Sequence, residues 1–479
     1  MAIALTIIYY IFLLLYIYLV GACVCSVLLD DRSPIRQIAW IVALIFLPFV
    51  GLMFFFFFGR NYRKNRTFST HEPIAYLDKL SIDFNKEDEK IKTSHIPYYL
   101  HQSIRLMLQS SRAKVYENSN FSVLTSGRES FEQLFEDIEK AKEHIHIEFF
   151  IIEDDRIGNE LRRLLIRKAQ ERVKVRVIYD YFGSYRLSES YIHSLKKEGV
   201  QIFPLLPFGF RLGFSKINYR NHRKIVIIDG MVAYTGGLNV ADRYVVGNRL
   251  GSWRDTLIRV EGEAVHGLQR IFLSDWHFVD KKFEESPSYY PQAKVFSKNY
   301  TQIVHSGPDT EWESILQGLL ALFGNAKKHI YIHTPYFLPP DSLLIAMQMA
   351  GLSGIDVRLM LPKRSDTKLA SVASSSFFIK LMEAGIKIYY YKDNFLHSKA
   401  ITIDDEVGIV GTANIDPRSF EQNYELSAFI YDKSTSIALR EAFEKDMEQC
   451  EEIDIERWKA RRLSIRLLEA LARLASPLL

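Results

Sequence analysis

The amino-terminal part of the chain is almost entirely apolar, and its pattern predicts membrane-spanning helices. Residues 3–29 contain no charged side chain, and this run is longer than the ~20 residues that a helix needs to cross a bilayer. A second uncharged run covers residues 38–59 and is interrupted only by Pro48. A short polar stretch joins the two runs. The pattern therefore predicts a helical hairpin with two spans within residues 1–66.

Charged residues around this hairpin predict its orientation. The second run is followed directly by a basic cluster, Arg60, Arg63, Lys64 and Arg66, whereas two aspartates offset the arginines of the connecting loop. The positive-inside rule places the more basic flank in the cytoplasm. We therefore expect a multi-pass protein of the cell (inner or cytoplasmic) membrane, with the rest of the chain on the cytoplasmic side. A cleaved signal peptide is disfavoured because no Lys or Arg precedes the first run and a second run follows at once.

Beyond the predicted hairpin, hydrophobic and polar residues alternate at the spacings of amphipathic helices and of strands. Residues 67–101 are mixed and polar and are interpreted as a linker. Helical and strand-like patterns then alternate, and residues 141–147 resemble residues 326–332. The helix candidates are 129–142 and 311–325, and the later strand candidates are 173–179 and 355–361. This alternation predicts α/β layers around a largely parallel sheet, duplicated as domains at 102–290 and 291–479.

Composition and charge narrow the class of protein. The 479 residues are 48% hydrophobic and 25% charged, which excludes a disordered chain and a small disulfide-stapled module. There are 61 Lys and Arg against 57 Asp and Glu, a net charge of +4, so bulk charge gives no indication of a nucleic-acid partner. Cys23, Cys25 and Cys450 predict neither a disulfide framework nor a thiolate metal site.

The strongest candidate for chemistry is a short motif that occurs once in each half. The first copy is His222, Lys224 and Asp229 followed by Gly236 and Asn239, and the second is His397, Lys399 and Asp404 followed by Gly411, Thr412 and Asn414. Both copies read His-x-Lys-x4-Asp, with glycine seven residues and asparagine ten residues after the aspartate. One such motif arises by chance in roughly a few per cent of chains this long. Two copies with the same trailing residues do not.

The spacing puts an imidazole and an ammonium group on one face of a strand, because residues two apart point to the same side. Glycine lets backbone amides approach an anion, and asparagine adds a neutral donor. If the two halves face each other, the histidine and lysine of one motif and those of the other converge on one pocket. There, one neutral histidine can attack the phosphorus of a phosphodiester while the other protonates the leaving alcohol.

We expect no metal ion or other cofactor, because two lysine ammonium groups already supply the positive charge that stabilises the phosphate oxygens. His144 and His146 alternate with isoleucines on a predicted strand. They are interpreted as ordinary strand residues because no third ligand lies nearby.

The paired motifs resemble those of the phospholipase D superfamily. Within it, the hairpin, residues 145–150, residues 334–339 and the end of the chain at 476–479 resemble the bacterial cardiolipin synthases, and the resemblance extends over the whole chain. It implies two phospholipase D-like domains, each a mixed sheet flanked by helices. It also implies transfer of a phosphatidyl group from one phosphatidylglycerol to another through a covalent phosphohistidine, with release of glycerol.

The resemblance also implies roles for the motif residues. His222 and His397 become nucleophile and general acid/base, in an order that the sequence leaves open, and Lys224 and Lys399 hold the phosphate. The residues expected to complete the phosphate site are Asn239, Asn414, Gly236, Gly411 and Thr412. The family pattern implies that Asp229 and Asp404 hold loops in place rather than touch the substrate.

Four supporting residues are Asp255, Glu425, Glu148 and Tyr336. The first two lie after the motifs, where the family keeps an acidic partner, and are expected to orient the imidazoles, within one half or across the two. Glu148 and Tyr336 are expected at corresponding strand ends, where they could line the pocket. A solvated strand end is the alternative for Glu148. The family commonly has a Gly-Ser pair at positions 236 and 237, but this sequence has glycine at both. The first half therefore lacks one hydroxyl donor.

Two stretches are candidates for contact with the bilayer. Residues 203–214 form an apolar predicted loop with interleaved basic residues, for which a buried loop is the alternative. Residues 458–474 have leucines at helical spacing among several arginines. They predict an amphipathic helix that either lies in the membrane interface or packs on the second half.

Three functional classes are compatible with these patterns: a phosphatidyltransferase, a hydrolase of phospholipid or nucleic acid, and an inactive membrane scaffold. The hairpin favours lipid over nucleic acid because it fixes the pocket near the bilayer. Both motifs are intact, which disfavours a scaffold. We therefore expect phosphatidylglycerol and membrane lipids as partners and no nucleic acid. The acceptor lipid and the oligomeric state, a homo-oligomer included, are left open.

Overall fold

The computed structural model of the chain describes residues 2–29, 34–47, 49–59, 83–206, 218–281 and 286–474. The chain divides into two compact units, an N-terminal helical unit and a larger α/β body.

The described part of the N-terminal unit contains three helices. They are α1 (Ala2–Leu28), α2 (Pro34–Phe46) and α3 (Val50–Phe58). Within the described ranges, α1 alone is long and apolar enough to cross a membrane, with a mean hydropathy of 2.6. The side chains buried among these helices are Cys23, Val27, Leu44, Leu52 and Phe55. The first predicted span, residues 3–29, therefore matches α1.

The second predicted span, residues 38–59, is not one helix. α2 ends at Phe46 and α3 begins at Val50, and the sequence has Pro48 between them. Proline lacks a backbone N–H and disfavours helical dihedral angles in the residue before it. The run is therefore divided into helices of 13 and 9 residues, each shorter than the ~20 residues of a single span.

The α/β body alternates helices with strands. Up to residue 280 its elements are α4 (Phe84–Thr93), α5 (His101–Ser111), β1 (Tyr116–Glu117), β2 (Asn120–Leu124), α6 (Gly127–Glu139), β3 (His144–Phe149), α7 (Arg156–Gln170), β4 (Lys174–Asp180), α8 (Glu189–Lys197), β5 (Gln201–Leu205), β6 (Ile225–Ile228), β7 (Val232–Gly236), β8 (Trp253–Arg254), β9 (Leu257–Glu261) and α9 (Ala264–Asp280). From residue 300 they are β10 (Tyr300–Ser306), α10 (Ser314–Asn325), β11 (His329–His333), α11 (Asp341–Leu352), β12 (Asp356–Pro362), α12 (Lys368–Ser375), α13 (Phe378–Glu383), β13 (Lys387–Tyr391), β14 (Phe395–Leu396), β15 (Ala400–Ile403), β16 (Val407–Gly411), α14 (Pro417–Glu421), β17 (Glu425–Tyr431), α15 (Lys433–Met447), β18 (Cys450–Glu452), α16 (Ile455–Lys459) and α17 (Leu463–Leu474).

Local sequence explains why these elements form where they do. Every residue of β3 and of β6 is buried, as expected for sheet strands covered by helices on both faces. Asp155 caps α7 by accepting a hydrogen bond from the Gly158 amide at 2.9 Å, and Asp432 caps α15 by accepting one from the Thr435 amide at 2.9 Å. The predicted helices 129–142 and 311–325 correspond to α6 and α10, and the predicted strands 173–179 and 355–361 correspond to β4 and β12.

Two mixed sheets carry the body, and their strand orders match. Among the described residues, the first sheet runs β2-β9-β7-β6-β3-β4-β5 and the second runs β1-β10-β17-β16-β15-β11-β12-β13-β18. The central seven strands of the second sheet repeat the order of the first, with edge strands β1 and β18 added. In both sheets the last three of these seven strands are parallel, and the others pair antiparallel. The fold is therefore the predicted duplicated α/β architecture with a mixed sheet in each half.

Strand register fixes which residues correspond between the halves. Ile145 on β3 pairs with Ile228 on β6, and Ile330 on β11 pairs with Ile403 on β15. The same offset pairs Glu148 of β3 with Ile225 and His333 of β11 with Ala400. The counterpart of Glu148 is therefore His333. The predicted correspondence between Glu148 and Tyr336 is wrong, because Tyr336 lies three residues beyond the end of β11.

The segment before β2 belongs structurally to the second half. Ile91 of α4 and Ile104, Met107 and Leu108 of α5 are buried in the same core as α10 and α11, and β1 pairs with β10. The prediction of a linker at 67–101 and a first domain from 102 therefore differs from the structure, since residues 83–117 pack on the second sheet. The apolar face of α5 is covered by α10, which the sequence pattern alone does not reveal. Residues 67–82 lie outside the described ranges.

Two other predicted segments also differ in detail. Within the predicted loop 203–214, residues 203–205 form the end of strand β5, and residues 207–214 lie outside the described ranges. The predicted C-terminal helix 458–474 is two helices, α16 and α17, joined by a short turn.

Candidate active site

Each motif histidine is positioned by backbone hydrogen bonds to the other half. The His222 amide donates to the Tyr424 carbonyl at 2.9 Å, and the His397 amide donates to the Arg254 carbonyl at 2.8 Å. β8 and β14 extend the second contact as a short parallel pair. The two histidine segments therefore dock against segments of the opposite half, and the site is shared between the halves.

The carboxylates that orient the imidazoles also come from the opposite half. The Nδ1 of His222 lies 2.8 and 3.0 Å from the two carboxylate oxygens of Glu425, and the Nδ1 of His397 lies 2.6 Å from an Asp255 oxygen. Both carboxylates are buried. A carboxylate at Nδ1 fixes the tautomer and directs Nε2 towards a reacting atom. Of the two arrangements left open by the sequence, the structure has the pairing across the halves.

The lysines lie directly beside their own histidines. The prediction that both lie on a strand is wrong, because each His-x-Lys segment ends one residue before its strand, β6 or β15. The Lys224 ammonium donates to the His222 carbonyl at 2.7 Å, and the Lys399 ammonium donates to the His397 carbonyl at 2.5 Å. The Lys399 Nζ also lies 3.0 and 3.1 Å from the two ring nitrogens of His397. Both lysines are buried. The site therefore concentrates two cationic groups and two imidazoles away from bulk water.

Burial sets the charge state of this site. It lowers the pKa of His222 and of His397 to about 4, against the raising effect of the facing carboxylates, so both imidazoles are neutral at pH 7. Burial also lowers the pKa of Lys224 to about 7, with a further lowering by the charge of Lys399, and it lowers the pKa of Lys399 to about 8. The charge of Lys399 also lowers the pKa of His397. Burial opposes ionisation of Glu425, but the His222 and Lys224 groups hold its pKa below the ordinary value.

The lysine pKa values predict a fall of activity in alkaline solution. A lysine carries its positive charge only below its pKa. The value of kcat/KM should therefore decrease by about tenfold per pH unit above about pH 7, where Lys224 loses its charge, and by about a hundredfold per unit above about pH 8, where Lys399 loses its charge as well. A bound phosphodiester anion favours the charged ammonium, so the same decrease in kcat should lie at higher pH. The measurement is the pH profile of both constants for the wild type and for Lys224→Arg, whose guanidinium stays charged. Profiles that stay flat to pH 10 would contradict the assignment.

The two motif aspartates hold loops, as the family pattern implies. The carboxylate of Asp229 accepts hydrogen bonds from the amides of residues 142–144 at 2.8–2.9 Å. The carboxylate of Asp404 accepts from the amides of residues 327–329 at 2.7–2.9 Å. Each aspartate thus fixes the start of the central strand, β3 or β11, on which its half is built. The three amides that donate to each carboxylate belong to its own half.

The structure gives the motif glycines and Thr412 packing roles. A Cβ on Gly236 would lie 2.3 Å from the Thr256 carbonyl oxygen, and one on Gly411 would lie 2.3 Å from the Ser427 hydroxyl. A Cβ on Gly237 would lie 2.2 Å from the Asp255 carboxylate. The Thr412 hydroxyl hydrogen-bonds to the Glu425 carboxylate. These positions therefore make room for, or hold, the histidine-orienting carboxylates and their strands. Their predicted contacts with phosphate stay a prediction.

The two asparagines are not equivalent. The Asn239 side chain accepts from the Ile151 amide at 3.1 Å and donates to the Tyr244 hydroxyl at 2.8 Å. The Asn414 side chain, in contrast, has a buried Oδ1 without a hydrogen-bond partner in the described part of the chain, and it lines a small cavity together with Lys399. Among the residues that the structure describes, Asn414 therefore keeps an unpaired acceptor beside Lys399, whereas both polar groups of the Asn239 side chain are occupied within its own half.

Glu148 belongs to a buried polar cluster behind His222. It accepts a hydrogen bond from the Asn221 side chain at 2.7 Å, and Arg223 pairs with Asp275 of α9. Burial, followed by the charge of Asp275, raises the pKa of Glu148 well above its ordinary value. Glu148 is fully buried, so the solvated strand end is wrong.

Tyr336 lies on the other side of the site. Its hydroxyl donates to Asp366 at 2.7 Å, and burial together with this carboxylate raises its pKa. The charge of Asp366 also acts on the pKa values of His397 and Lys399. Tyr336 and Asp366 therefore form a polar pair close to the second motif.

Several residues of the site have no sequence signal of their own. Asn221 and Arg223 are the chain neighbours of His222, and this adjacency alone indicates that they belong to the site. Asp275, Asp366 and Asp446 lie far from the motifs in the chain. Asp446 of α15 pairs with Arg254 at 2.8 Å, as Asp275 of α9 pairs with Arg223. Only the folded arrangement places these carboxylates behind the histidine segments.

His144 and His146 are core residues of β3. The His146 ring stacks on Phe272 with centroids 4.5 Å apart, and its Nδ1 lies 3.2 Å from the Gln269 side-chain oxygen. Burial lowers the pKa of His144 to about 4. Across the described ranges, no group of three or more His, Cys, Asp or Glu side chains is arranged to hold a metal ion.

Comparison with known proteins agrees with this architecture. A family profile described as "Cardiolipin synthase, PLD-like domain" matches residues 134–276 and 319–447, and one described as "Phospholipase_D-nuclease N-terminal" matches residues 14–60. The first match covers both halves and thus confirms the duplication. A phosphatidylserine synthase from Haemophilus influenzae has a similar fold, with a TM-score of 0.59 at 16% identity over 79% of this chain and all of that one.

Full-length relatives are considerably more similar in sequence. Cardiolipin synthase 2 of Bacillus anthracis is 39% identical over 96% of this chain and 90% of its own length. The cardiolipin synthase of Geobacillus kaustophilus is 40% identical over 94% of this chain and 90% of its own. The major cardiolipin synthase of Bacillus subtilis is 38% identical over 94% and 95%. The chain therefore belongs to the bacterial cardiolipin synthase family of the phospholipase D superfamily.

Proposed function

We propose that this chain is a cardiolipin synthase that transfers a phosphatidyl group from one phosphatidylglycerol to a second. The observation that carries the proposal is the pair of imidazoles, each held at Nδ1 by a buried carboxylate of the opposite half and each adjacent to a buried lysine. The enzyme is a phosphatidyltransferase of the phospholipase D type, and its substrates are phospholipids. His222, His397, Lys224 and Lys399 are proposed as its catalytic residues.

The reaction has two steps that use the histidines in turn. In the first, Nε2 of one neutral histidine attacks phosphorus, and the bond to the headgroup glycerol oxygen breaks as the other histidine, protonated at Nε2, gives that oxygen its proton. In the second, the now neutral histidine accepts a proton from the headgroup hydroxyl of the incoming lipid. That oxygen attacks phosphorus, and the phosphorus–nitrogen bond breaks to yield cardiolipin and the free histidine.

The charge state described above fits these steps once substrate is bound. In the free protein, burial and the neighbouring lysines keep both imidazoles neutral. A phosphodiester anion compensates those lysine charges, so the pKa of the acid histidine rises and it can take up its proton. Lys224 and Lys399 then stabilise the charge that develops on the phosphate oxygens. This chemistry needs no cofactor beyond the four side chains.

Transfer rather than hydrolysis is favoured because the histidines and lysines are buried. A site closed to bulk water lets a lipid hydroxyl compete for the phosphohistidine intermediate. Hydrolysis by the same residues is the alternative, and it differs only in the acceptor.

Product analysis tests the proposal. With phosphatidylglycerol as sole substrate and a chelator present, mass spectrometry should find cardiolipin and free glycerol in equal amounts, and added glycerol should drive the reaction backwards. Phosphatidic acid as the main product would identify a hydrolase. A requirement for one specific divalent ion, or for a nucleotide-activated lipid, would contradict the proposed two-histidine mechanism.

The chain is associated with a membrane, and we propose that it is multi-pass with the α/β body in the cytoplasm. The proposal is supported by α1, by the uncharged run of residues 38–59, and by the basic cluster from Arg60 to Arg66. In a variant with its native cysteines replaced, a membrane-impermeant thiol reagent should label Ser69→Cys only after cell lysis. Labelling in intact cells would place the body outside.

A further inference from the structure

α17 lies on the surface of the second half with its apolar side outward. The residues that face the body are Glu469 and Ala472, which are 6% and 5% exposed. The exposed leucines are Leu463, Leu467, Leu468, Leu471 and Leu474, at 68%, 55%, 58%, 64% and 76%. We refer to these five residues as the leucine face. A surface helix of a soluble protein has the opposite arrangement, with the apolar side inward.

The helix spacing makes the leucine face continuous. Leu463, Leu467, Leu471 and Leu474 follow one another three or four residues apart, so they form one stripe along all of α17. Glu469 and Ala472 lie on the opposite side of the helix. The exposed leucines are therefore one contiguous apolar surface rather than scattered residues.

Polar contacts on the inner side hold α17 in this orientation. The Arg461 guanidinium donates to both oxygens of Glu469, at 2.5 and 2.9 Å, and it stacks on the Trp458 ring at 3.5 Å from the centroid. Ala472 is buried in the same core as Ala370 of α12. Rotation of the helix to bury its leucines would break the bidentate ion pair, so the outward leucine face belongs to the folded state.

Basic residues accompany the leucine face. Arg462 and Arg466 are exposed at the start of α17, and the one acidic residue of α17 is paired with Arg461 on the inner side. The exposed side therefore combines apolar and positive groups. This combination is complementary to the surface of a bilayer that contains anionic phospholipids, where leucines enter the acyl boundary and arginines meet the headgroups.

We propose that α17 is an interfacial helix that inserts its leucine face into the headgroup and acyl boundary of an anionic phospholipid bilayer. We assign a bilayer as the partner of the leucine face because the exposed charge is positive and the chain is itself membrane-associated. This docking does not depend on the reaction proposed above. It gives the α/β body a membrane contact in addition to the N-terminal helices.

The docked helix is connected to the candidate active site through α12. α17 packs against α12, and the residue two positions before α12 is Asp366, which accepts from Tyr336 and acts on the pKa values of His397 and Lys399. Insertion of the leucine face therefore holds this side of the second half at the bilayer surface.

Lipid quenching of a fluorescent probe tests the docking without reference to activity. The native cysteines are replaced, a single cysteine is introduced as Leu471→Cys and labelled with an environment-sensitive dye, and the full-length protein is reconstituted into vesicles. The matched control is Glu441→Cys, an exposed position on α15. Lipids with brominated acyl chains should quench the dye at 471 and leave that at 441 bright, and quenching should be stronger with phosphatidylglycerol than in neutral phosphatidylcholine.

Three results would overturn the proposal. They are equal quenching at both positions, no quenching at 471 in any lipid mixture, and energy transfer between copies labelled at 471 without lipid quenching, which would assign the face to a second copy of the chain. Covering of the face by another segment of the chain would appear as an unquenched probe and would also overturn the proposal.

A kinetic measurement gives an independent result. In mixed micelles, Leu467→Ser/Leu471→Ser should raise the apparent KM for the mole fraction of lipid several-fold while leaving kcat within twofold. Both side chains are exposed, so the substitutions remove no buried contact. The matched control is Ile345→Ser/Met349→Ser, which removes two exposed apolar side chains from α11, a helix without basic residues. An equal change in KM for both pairs, or a fall in kcat alone, would contradict the proposal.

Discussion

His222→Ala and His397→Ala should each lower kcat by about a thousandfold or more, because each removes a group that forms a bond to phosphorus or transfers a proton in the proposed reaction. Either loss stops a full cycle, so the double variant should be scarcely worse than each single one. The measurement is cardiolipin formation from phosphatidylglycerol by purified protein. The control is His193→Ala, since His193 is exposed on α8 and should be dispensable.

Folding and membrane binding of both histidine variants are checked beside activity, by thermal unfolding and vesicle flotation, because both side chains are buried and a loss of fold would also abolish turnover. Retention of more than about a tenth of wild-type activity, one decade of rate or ~1.4 kcal/mol, by either variant would contradict the use of both histidines.

The second large effect is expected at the carboxylates. Glu425→Gln and Asp255→Asn should each lower kcat by about a hundredfold to ten thousandfold with little change in KM, because an amide can donate to Nδ1 and so favour the wrong imidazole tautomer. The effect of each should be exerted on the histidine of the opposite half. An NMR titration of the ring nitrogens should show a changed tautomer at His222 in Glu425→Gln and at His397 in Asp255→Asn.

A matched control for these variants is Glu452→Gln, which neutralises an exposed carboxylate on edge strand β18 and should leave kcat unchanged. Normal turnover in Glu425→Gln, or a tautomer change at the histidine of the same half, would contradict the cross-half pairing.

The sequence is most informative where a motif depends on local spacing. The two-residue step from His222 to Lys224 predicts that both lie on one face of a strand. The two residues instead precede β6, which begins at Ile225, but the lysine ammonium does lie against the histidine carbonyl. The loop-holding function of Asp229 and Asp404 likewise follows the family pattern, and the structure supplies its physical basis in three amide donors for each carboxylate.

Long-range contacts are where the sequence is least informative. Nothing local distinguishes a carboxylate that serves its own half from one that serves the other, so the partners of Glu425 and Asp255 required the folded arrangement. The correspondence of Glu148 with His333 depends on strand register, which a similarity of loop sequences cannot give. The placement of α5 on the second half has the same origin, since an apolar face shows that a helix is covered but not what covers it.

The glycines show that one residue type can have two physical reasons. The sequence predicts that Gly236 and Gly411 let amides approach a phosphate, and the structure adds that a neighbouring strand fills the space beside each. Close strand packing and anion binding both require the absence of a Cβ, so the residue type alone does not separate them.

Trapping the covalent intermediate tests the central claim most directly. Wild type, His222→Ala and His397→Ala are mixed with phosphatidylglycerol and denatured at alkaline pH, where a phosphohistidine survives, and their peptides are analysed by mass spectrometry. One phosphatidyl group should be found on His222 or His397 of the wild type, and it should persist in at most one of the two variants, the one that keeps the nucleophile. Turnover without any adduct, or an adduct on a residue outside the two motifs, would contradict a two-histidine site shared between the halves.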